Sequence, residues 1–489
     1  MIHSVEIYLT ESLSEKVRDN YHTVLLAKNM EGIKELNKLV SMSCQEDHFY
    51  YTNRISFDEF LNISPNIITT SACLASPLNK LPQDHPRYME LVGRYDYLEI
   101  QPHIHPEQIE YNKKLYDLSK KTGKPLIVGT DTHSSSKYKA KCRDVLLSAK
   151  HKKYDDDGFD LTFKTYDELV SMFRMQNAIP EDAWMQALEN TNIMADSVDN
   201  FELDMSVKYP ILYGSREEDD RVYTELVYSK FAEKLANGII PKEQKESYES
   251  AIIDELEVLR KLGMMGFMLC QSELVSWARD NGMAIGTARG SVGGCRVAYL
   301  TDIIDMNPEQ WGTIFSRFAN PNRIEVGDID IDCVDTDRPA IFNHIVEKFG
   351  ERKTARVASF GTIQEKGVID DVGRHLAQEW AKKYPDSPND NNPWNLRNID
   401  KIKSEYESDA EKTKSKYPDL FYYFDGLLGT KISQSVHPAG MVIAPVTLDD
   451  TYGYFDKEGD NCLMLDMDEA HEVGLVKYDS KKRIAFTEM

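Results

Sequence analysis

GTARGSVGG (Gly286 to Gly294), followed by VGDIDID (Val326 to Asp332), is the pair of segments on which the reading of this 489-residue chain turns. The first is a turn of small residues around one arginine. It offers a phosphate group backbone N–H donors and a planar, fork-shaped cation. The second is a short strand, and because side chains alternate along a strand, Asp328, Asp330 and Asp332 share one face. Asp328 and Asp330 stand about 7 Å apart along such a strand. At that spacing two carboxylates can share divalent metals, which clamp the attacking and leaving oxygens of an in-line displacement. Alternating acids also occur as a plainly solvated face. The arginine-bearing turn upstream favours the metal reading, that of a two-metal nucleotidyl-transfer site.

Bulk properties set the frame. The length suits two or three domains with sizeable cores. Hydrophobic residues make up 41% and charged residues 28%, an ordinary balance for a globular protein. No apolar run reaches the length that crosses a bilayer, and the N-terminus lacks a basic region followed by an apolar stretch. Seven cysteines without a CxxC pair point to reduced thiols and a cytoplasmic location, with no membrane partner. Cys295 and Cys333, beside the candidate site, read as small packing residues. A net charge of −23 predicts weak nucleic-acid binding by the bulk surface and confines any such contact to a local basic track. Acid clusters lie outside the motifs, at residues 155–157 and in the stretch Glu405 to Glu411.

From Ser4 to about Asn200, candidate strands (SVEIYL, HTVLLA, NIITTS, YDYLEIQ, PLIVGTD) alternate with helical stretches such as MEGIKELNKLV and IEYNKKLYDLSKKTGK, the latter closed by Gly123. The alternation implies a parallel α/β sheet or barrel, whose chemistry gathers at the C-terminal strand ends. Glu99 falls near one such end, and Asp131 and His133 (GTDTHSSS) at another. An Asp-x-His with a neighbouring carboxylate is a metal site in one reading and a polar turn in the other. From Val207 to about residue 288 the spacing of apolar residues predicts helices. A Pro/Asn/Asp cluster after Trp380 marks a loop, and helix resumes to about Phe424. There is no internal repeat.

The run from Gly266 to Asp332 resembles the palm of the bacterial DNA polymerase III alpha subunits, the C-family replicative polymerases. FGTIQEKGVIDDVGR (Phe360 to Arg374), HPAGMVIAP (His437 to Pro445) and GLVKYD (Gly474 to Asp479) follow in the family's order and at similar spacing. The resemblance implies a multidomain α/β and α+β chain. A partial PHP-type (TIM-like) barrel would occupy 1–200, a nucleotidyltransferase palm with leading helices 201–363, a helical thumb 364–436, and the returning palm strand region 437–489.

It also implies roles. Asp328, Asp330 and Asp479 become the catalytic carboxylates for two Mg²⁺ ions, with Asp332 as support. Arg289, Gly290 and Ser291 cradle the triphosphate. Arg317, Arg323, Lys366 and Lys477 face the nucleotide or the palm, and His437 orients substrate or structure. Glu99, Asp131 and His133 become PHP metal ligands, for Zn²⁺ or Mn²⁺. His103 falls where the family often has a histidine, while His105 reads as a surface residue.

Departures are visible. Thr287-Ala288 stands for the usual Pro-Gly, Gly327 for a proline, and Asp370 for an arginine. The family's opening His-x-His strand has no counterpart here, which implies a PHP metal cluster short of those ligands. The last ten residues do not resemble the family's continuation into fingers, clamp-binding and OB-type modules. The expectation is therefore a split or interrupted polymerase that extends primer-template DNA with dNTPs, completed by a second polypeptide and reaching the sliding clamp through it. Two alternatives are a PHP-type phosphoesterase or 3′–5′ exonuclease and a non-catalytic remnant.

Overall fold

The computed structural model describes residues 2–152, 158–287, 289–322, 329–457 and 459–482. It divides into two compact units, Met1–Phe201 with Phe360–Ser435, and Glu202–Ser359 with Val436–Met489. Each of the four buried apolar clusters lies within one unit. Among the described residues, no helix is long and apolar enough to cross a membrane.

In the first unit a four-stranded sheet runs in the order Arg54–Ser56, Ser4–Thr10, Tyr21–Ala27, Ile67–Thr70. Only a short non-helical link joins Thr10 to Tyr21, so those two strands pair antiparallel, Tyr8 opposite His22. Tyr21–Ala27 pairs antiparallel with Ile67–Thr70 as well. Parallel pairing occurs where helices intervene: Leu98–Ile100 lies parallel to Leu126–Val128 across the crossover helix Pro106–Thr122, and Ser4–Thr10 lies parallel to Arg54–Ser56 across the helix Met30–Ser43. The wholly parallel sheet expected from the alternation of elements is thus a mixed one, because a parallel connection needs a crossover and the first hairpin has none.

Helix Lys137–Ala149 supplies Cys142 and Val145 to a second core of this unit. There they meet Val368, Ile369 and Val372 of helix Glu365–Lys383, with Leu420 and Phe424. Polar contacts follow the same seam. Lys139 Nζ donates to the Gly426 carbonyl at 2.9 Å, and Ser148 Oγ donates to Gln378 Oε1 at 2.9 Å.

In the second unit three long helices, Arg216–Ala236, Lys245–Lys261 and Met265–Asp280, bear out the helical reading of that stretch. Their apolar stripes place Tyr223, Val227, Tyr248, Ile252, Phe267 and Leu274 in one core, which also takes Met441, Ile443 and Tyr478 from the sheet. That sheet has six strands, ordered Tyr454–Lys457, Asp460–Leu463, Thr354–Thr362, Lys431–Ile443, Lys477–Lys482, Asp330–Cys333. Cys295 and Cys333 are buried within the unit, in keeping with their reading as small packing residues.

Candidate active site

The edge of the six-stranded sheet brings the motif residues together. Strand Asp330–Cys333 pairs in parallel with Lys477–Lys482, in a register that sets Asp479 directly opposite Asp330. Two positions separated by 148 intervening residues thereby become neighbours at the strand spacing of about 4.8 Å. Lys477 lies two residues earlier on its strand, opposite Val442 of the antiparallel neighbour. Asp479 also pairs with Gly440, three residues after His437, so the HPAG segment borders the same edge. Asp328, Arg323 and Gly327 lie outside the described residues, as does the acidic stretch 155–157.

The glycine-rich turn is docked onto this edge. The Gly286 amide donates to the Asp332 carbonyl at 2.8 Å, and Asp305 donates its amide to the Thr287 carbonyl at 2.7 Å. Gly290 sits at φ 79°, in the left-handed region that lets the chain reverse. The short 3₁₀ turn Ser291–Gly294 follows, held from outside by Thr313 Oγ1 on the Gly293 carbonyl at 2.8 Å.

Arg289 reaches back over the carboxylates. Its Nε stands 3.2 Å from Asp330 Oδ2, and its Nη1 donates to Asp332 Oδ1 at 2.9 Å. Asp330 and Asp332 side chains are only 5% and 11% exposed, against 44% for Arg289. A half-exposed cation thus lies against two largely buried acids and offsets part of their desolvation. Arg317 ends the 3₁₀ turn Phe315–Arg317 and is exposed. Lys366 belongs to the first unit instead, on helix Glu365–Lys383, where it is exposed and ion-paired with Glu407. On the same helix Asp370 is paired with Lys403 at 2.8 Å.

A second cluster lies in the first unit. Glu99, almost fully buried, accepts hydrogen bonds from Thr70 Oγ1 at 2.7 Å and Gln101 Nε2 at 3.0 Å. Burial pushes its carboxyl above the usual range, and the charges of Asp131 and Glu6 push in the same direction. Asp131 adopts the left-handed φ of 48°, and its carbonyl lies 2.8 Å from Nδ1 of the half-exposed His133. His103 is buried edge-on against Phe159, and burial lowers its pKa to about 4. His105 is half-buried against the same ring.

Three residues that the sequence reading passed over join this region: Glu6, His22 and Cys73 present one ligand atom each, all within 4.8 Å of one another. His22 Nδ1 is 3.0 Å from Glu6 Oε1 and 3.4 Å from Cys73 Sγ. Burial drives the Cys73 thiol up to about 12, and the negative charges of Asp131, Glu6 and Glu99 add to that rise. The signal was an antiparallel hairpin. Once Tyr8 faces His22, Glu6 lies diagonally across from it, on the same face two residues earlier.

The donor chemistry of the two clusters differs. The sheet edge offers carboxylate oxygens, which suit a hard cation such as Mg²⁺. The first-unit cluster mixes oxygen, imidazole and thiol, which suits Zn²⁺ or another transition ion.

Comparison with known proteins agrees with both regions. A family model described as the bacterial DNA polymerase III alpha NTPase domain matches residues 222–480, and a PHP domain model matches residues 1–103. The DNA polymerase III subunit alpha of Aquifex aeolicus is 28% identical, over 96% of this chain and 44% of its own. That of Borreliella burgdorferi is 31% identical, over 94% and 41%, and that of Helicobacter pylori strain 26695 is 31% identical, over 78% and 34%. This chain spans less than half the length of these relatives.

Proposed function

The chain belongs to the bacterial DNA polymerase III alpha family, and from that premise we propose that its second unit is the palm of a template-directed DNA polymerase. In this reading residues 364–436 serve as the helical thumb, and the N-terminal segment is a PHP-type barrel. The observation that carries the reading is the parallel register setting Asp479 opposite Asp330, with Arg289 docked over Asp330 and Asp332.

Asp328, Asp330 and Asp479 would hold two Mg²⁺ ions. Bound there, Mg²⁺ supplies a lowered pKa for the primer 3′-hydroxyl and charge stabilisation for the departing pyrophosphate. The chain's own residues do the positioning. Arg289 can turn from the carboxylates to the triphosphate, for which its planar fork is suited. The Gly290–Ser291 amides face the same phosphates, with Lys477 and Arg317 as further cations and His437 bordering the strand. Lys366, on helix Glu365–Lys383, would contact DNA phosphates.

The test is primer extension on a primed template with Mg²⁺ and all four dNTPs. Asp330→Ala should abolish extension and Mn²⁺ binding at the palm while leaving the fold intact. Extension that survives this substitution would sink the assignment.

A second activity is favoured by the Glu6–His22–Cys73 cluster beside Glu99 and Asp131. We propose that it binds a transition metal and hydrolyses phosphodiesters. Mn²⁺- or Zn²⁺-dependent hydrolysis should fall in Glu6→Gln and Asp131→Asn and persist in Asp330→Ala. The opposite pattern would place any hydrolysis in the palm.

A further inference from the structure

Glu255 is the most deeply buried acid near the glycine-rich turn, 2% exposed, and no step proposed above uses it. It sits on helix Lys245–Lys261 and looks onto the residues just past the turn. Its Oε2 accepts the Val297 amide at 3.0 Å and faces Cys295 Sγ at 3.4 Å. Its Oε1 is 3.3 Å from Arg296 Nη1. Burial pushes the Glu255 carboxyl upward, against the pull of the Val297 amide, the Cys295 thiol and Arg296.

Arg296 continues the chain of contacts, because its Nε donates to Glu309 Oε1 at 2.6 Å. Ser247, on the same helix as Glu255, donates to that Glu309 oxygen at 2.7 Å. Glu309 lies in the short helix Pro308–Trp311, four residues before Thr313, whose hydroxyl holds the Gly293 carbonyl. Four residues further on, the same segment reaches Arg317. The turn carrying Arg289 and the segment carrying Arg317 are thus tied together at two points, by Arg296–Glu309 and by Thr313–Gly293. The Arg296–Glu309 tie is referred to one helix through Glu255 and Ser247.

We propose that Glu255 is a positioning residue: through Arg296 and Val297 it sets the spacing between the two arginine-bearing segments, and so the affinity of the turn for a nucleoside triphosphate. The proposal rests on the polymerase reading for its ligand. Glu255 itself is too buried to touch substrate and acts only through its neighbours.

The experiment uses the full chain and three variants: Glu255→Gln, Glu255→Leu and Arg296→Met. Mg²⁺·dATP affinity is measured by calorimetry, Mn²⁺ affinity by electron paramagnetic resonance, and amide exchange over residues 289–297 by mass spectrometry. Glu255→Leu should exchange about tenfold faster in that segment and bind dATP about tenfold more weakly, with Mn²⁺ affinity unchanged. Glu255→Gln, which still accepts the Val297 amide, should fall between Glu255→Leu and the parent. A merely structural role would instead lower dATP and Mn²⁺ affinity together with the unfolding temperature, and that result overturns the proposal. Unchanged exchange and dATP affinity overturn it too. If Glu255→Leu does not fold, the other two variants carry the same comparison. A parent chain that binds Mn²⁺ but no dATP would count against the polymerase reading, and the exchange arm would then decide the positioning role alone.

Discussion

Arg289 is shared between two competing demands. It lies against Asp330 and Asp332, and in the polymerase reading it must also hold phosphate. Arg289→Gln should therefore separate the two functions. Metal affinity at the sheet edge rises, because a competing cation is gone, while triphosphate affinity falls about tenfold, the cost of one charge-assisted contact. Mn²⁺ and Mg²⁺·dATP titrations of the same preparation check both signs. A parallel loss of both affinities would contradict the shared role.

A second single-residue prediction concerns His48, whose two ring nitrogens lie 2.7 Å from Asp47 and 2.9 Å from Glu59. Burial alone would lower its pKa, but the two carboxylates overrule it and hold the imidazolium above its ordinary 6.5. The His48 hydrogen bond in turn holds Asp47 low. Glu59 is pushed up by burial, yet the Ser56 backbone and His48 bring it below the usual range. A raised histidine stabilises fully below its unfolded value and loses that contribution as pH rises through the folded value. The stability difference between the parent chain and His48→Gln should therefore be largest near about pH 6 and shrink toward about pH 9 in urea titrations. A difference independent of pH would mean that folding leaves the affinity of His48 for its proton unchanged.

Neither His48 nor the Glu6–His22–Cys73 cluster was legible in the sequence. Glu59 reaches His48 from a following helix, and strand register sets His22 on the face of Glu6, contacts that no local pattern announces. Asp330, by contrast, stood out as a candidate because its alternating acids follow an arginine-bearing turn close by in the sequence.

At the scale of elements, periodicity and end signals carried most of the reading. Helix Pro106–Thr122 stops where Gly123 takes φ 75°, and the three long helices of the second unit follow their apolar stripes. Strand direction was less legible. The alternation of elements suggested parallel neighbours, but the missing crossover after Thr10 decided for a hairpin.

Two glycines show how differently one residue type can serve an element. A Cβ at Gly123 would meet nothing within 4 Å, so Gly123→Ala is expected to cost only the left-handed backbone, about 1 kcal/mol. A Cβ at Gly294 would come within 2.5 Å of the Ile314 carbonyl oxygen, where only backbone could give way. Gly294→Ala should therefore destabilise the second unit by about 2–3 kcal/mol and weaken triphosphate binding by moving the turn off its support. Denaturant unfolding of the two variants should rank Gly294→Ala well above Gly123→Ala. The reverse order would refute the docking of the turn against Ile314.

For the whole molecule, the separation of cores decides what metals can do. Each buried cluster is confined to one unit, and each unit carries its own candidate metal ligands, oxygen-only at the sheet edge and mixed in the first. A ligand that binds only the folded form stabilises by mass action, about 2.7 kcal/mol at a hundredfold excess over its dissociation constant. The strongly acidic balance of the chain, −23, adds a nonspecific term, since any divalent cation relieves self-repulsion. The specific part is isolated by substitution under constant ionic strength. Scanning calorimetry of the chain should show Mg²⁺ raising the transition of the second unit, and this shift should vanish in Asp330→Asn. Zn²⁺ should raise the transition of the first unit, and that shift should vanish in Glu6→Gln but survive Asp330→Asn. Because free thiols and imidazoles of the unfolded chain also bind Zn²⁺, its shift should be smaller than its affinity for the folded site implies. If both ions move both transitions equally in the parent and in the two variants, the stabilisation is only charge screening, and neither cluster holds a metal of its own.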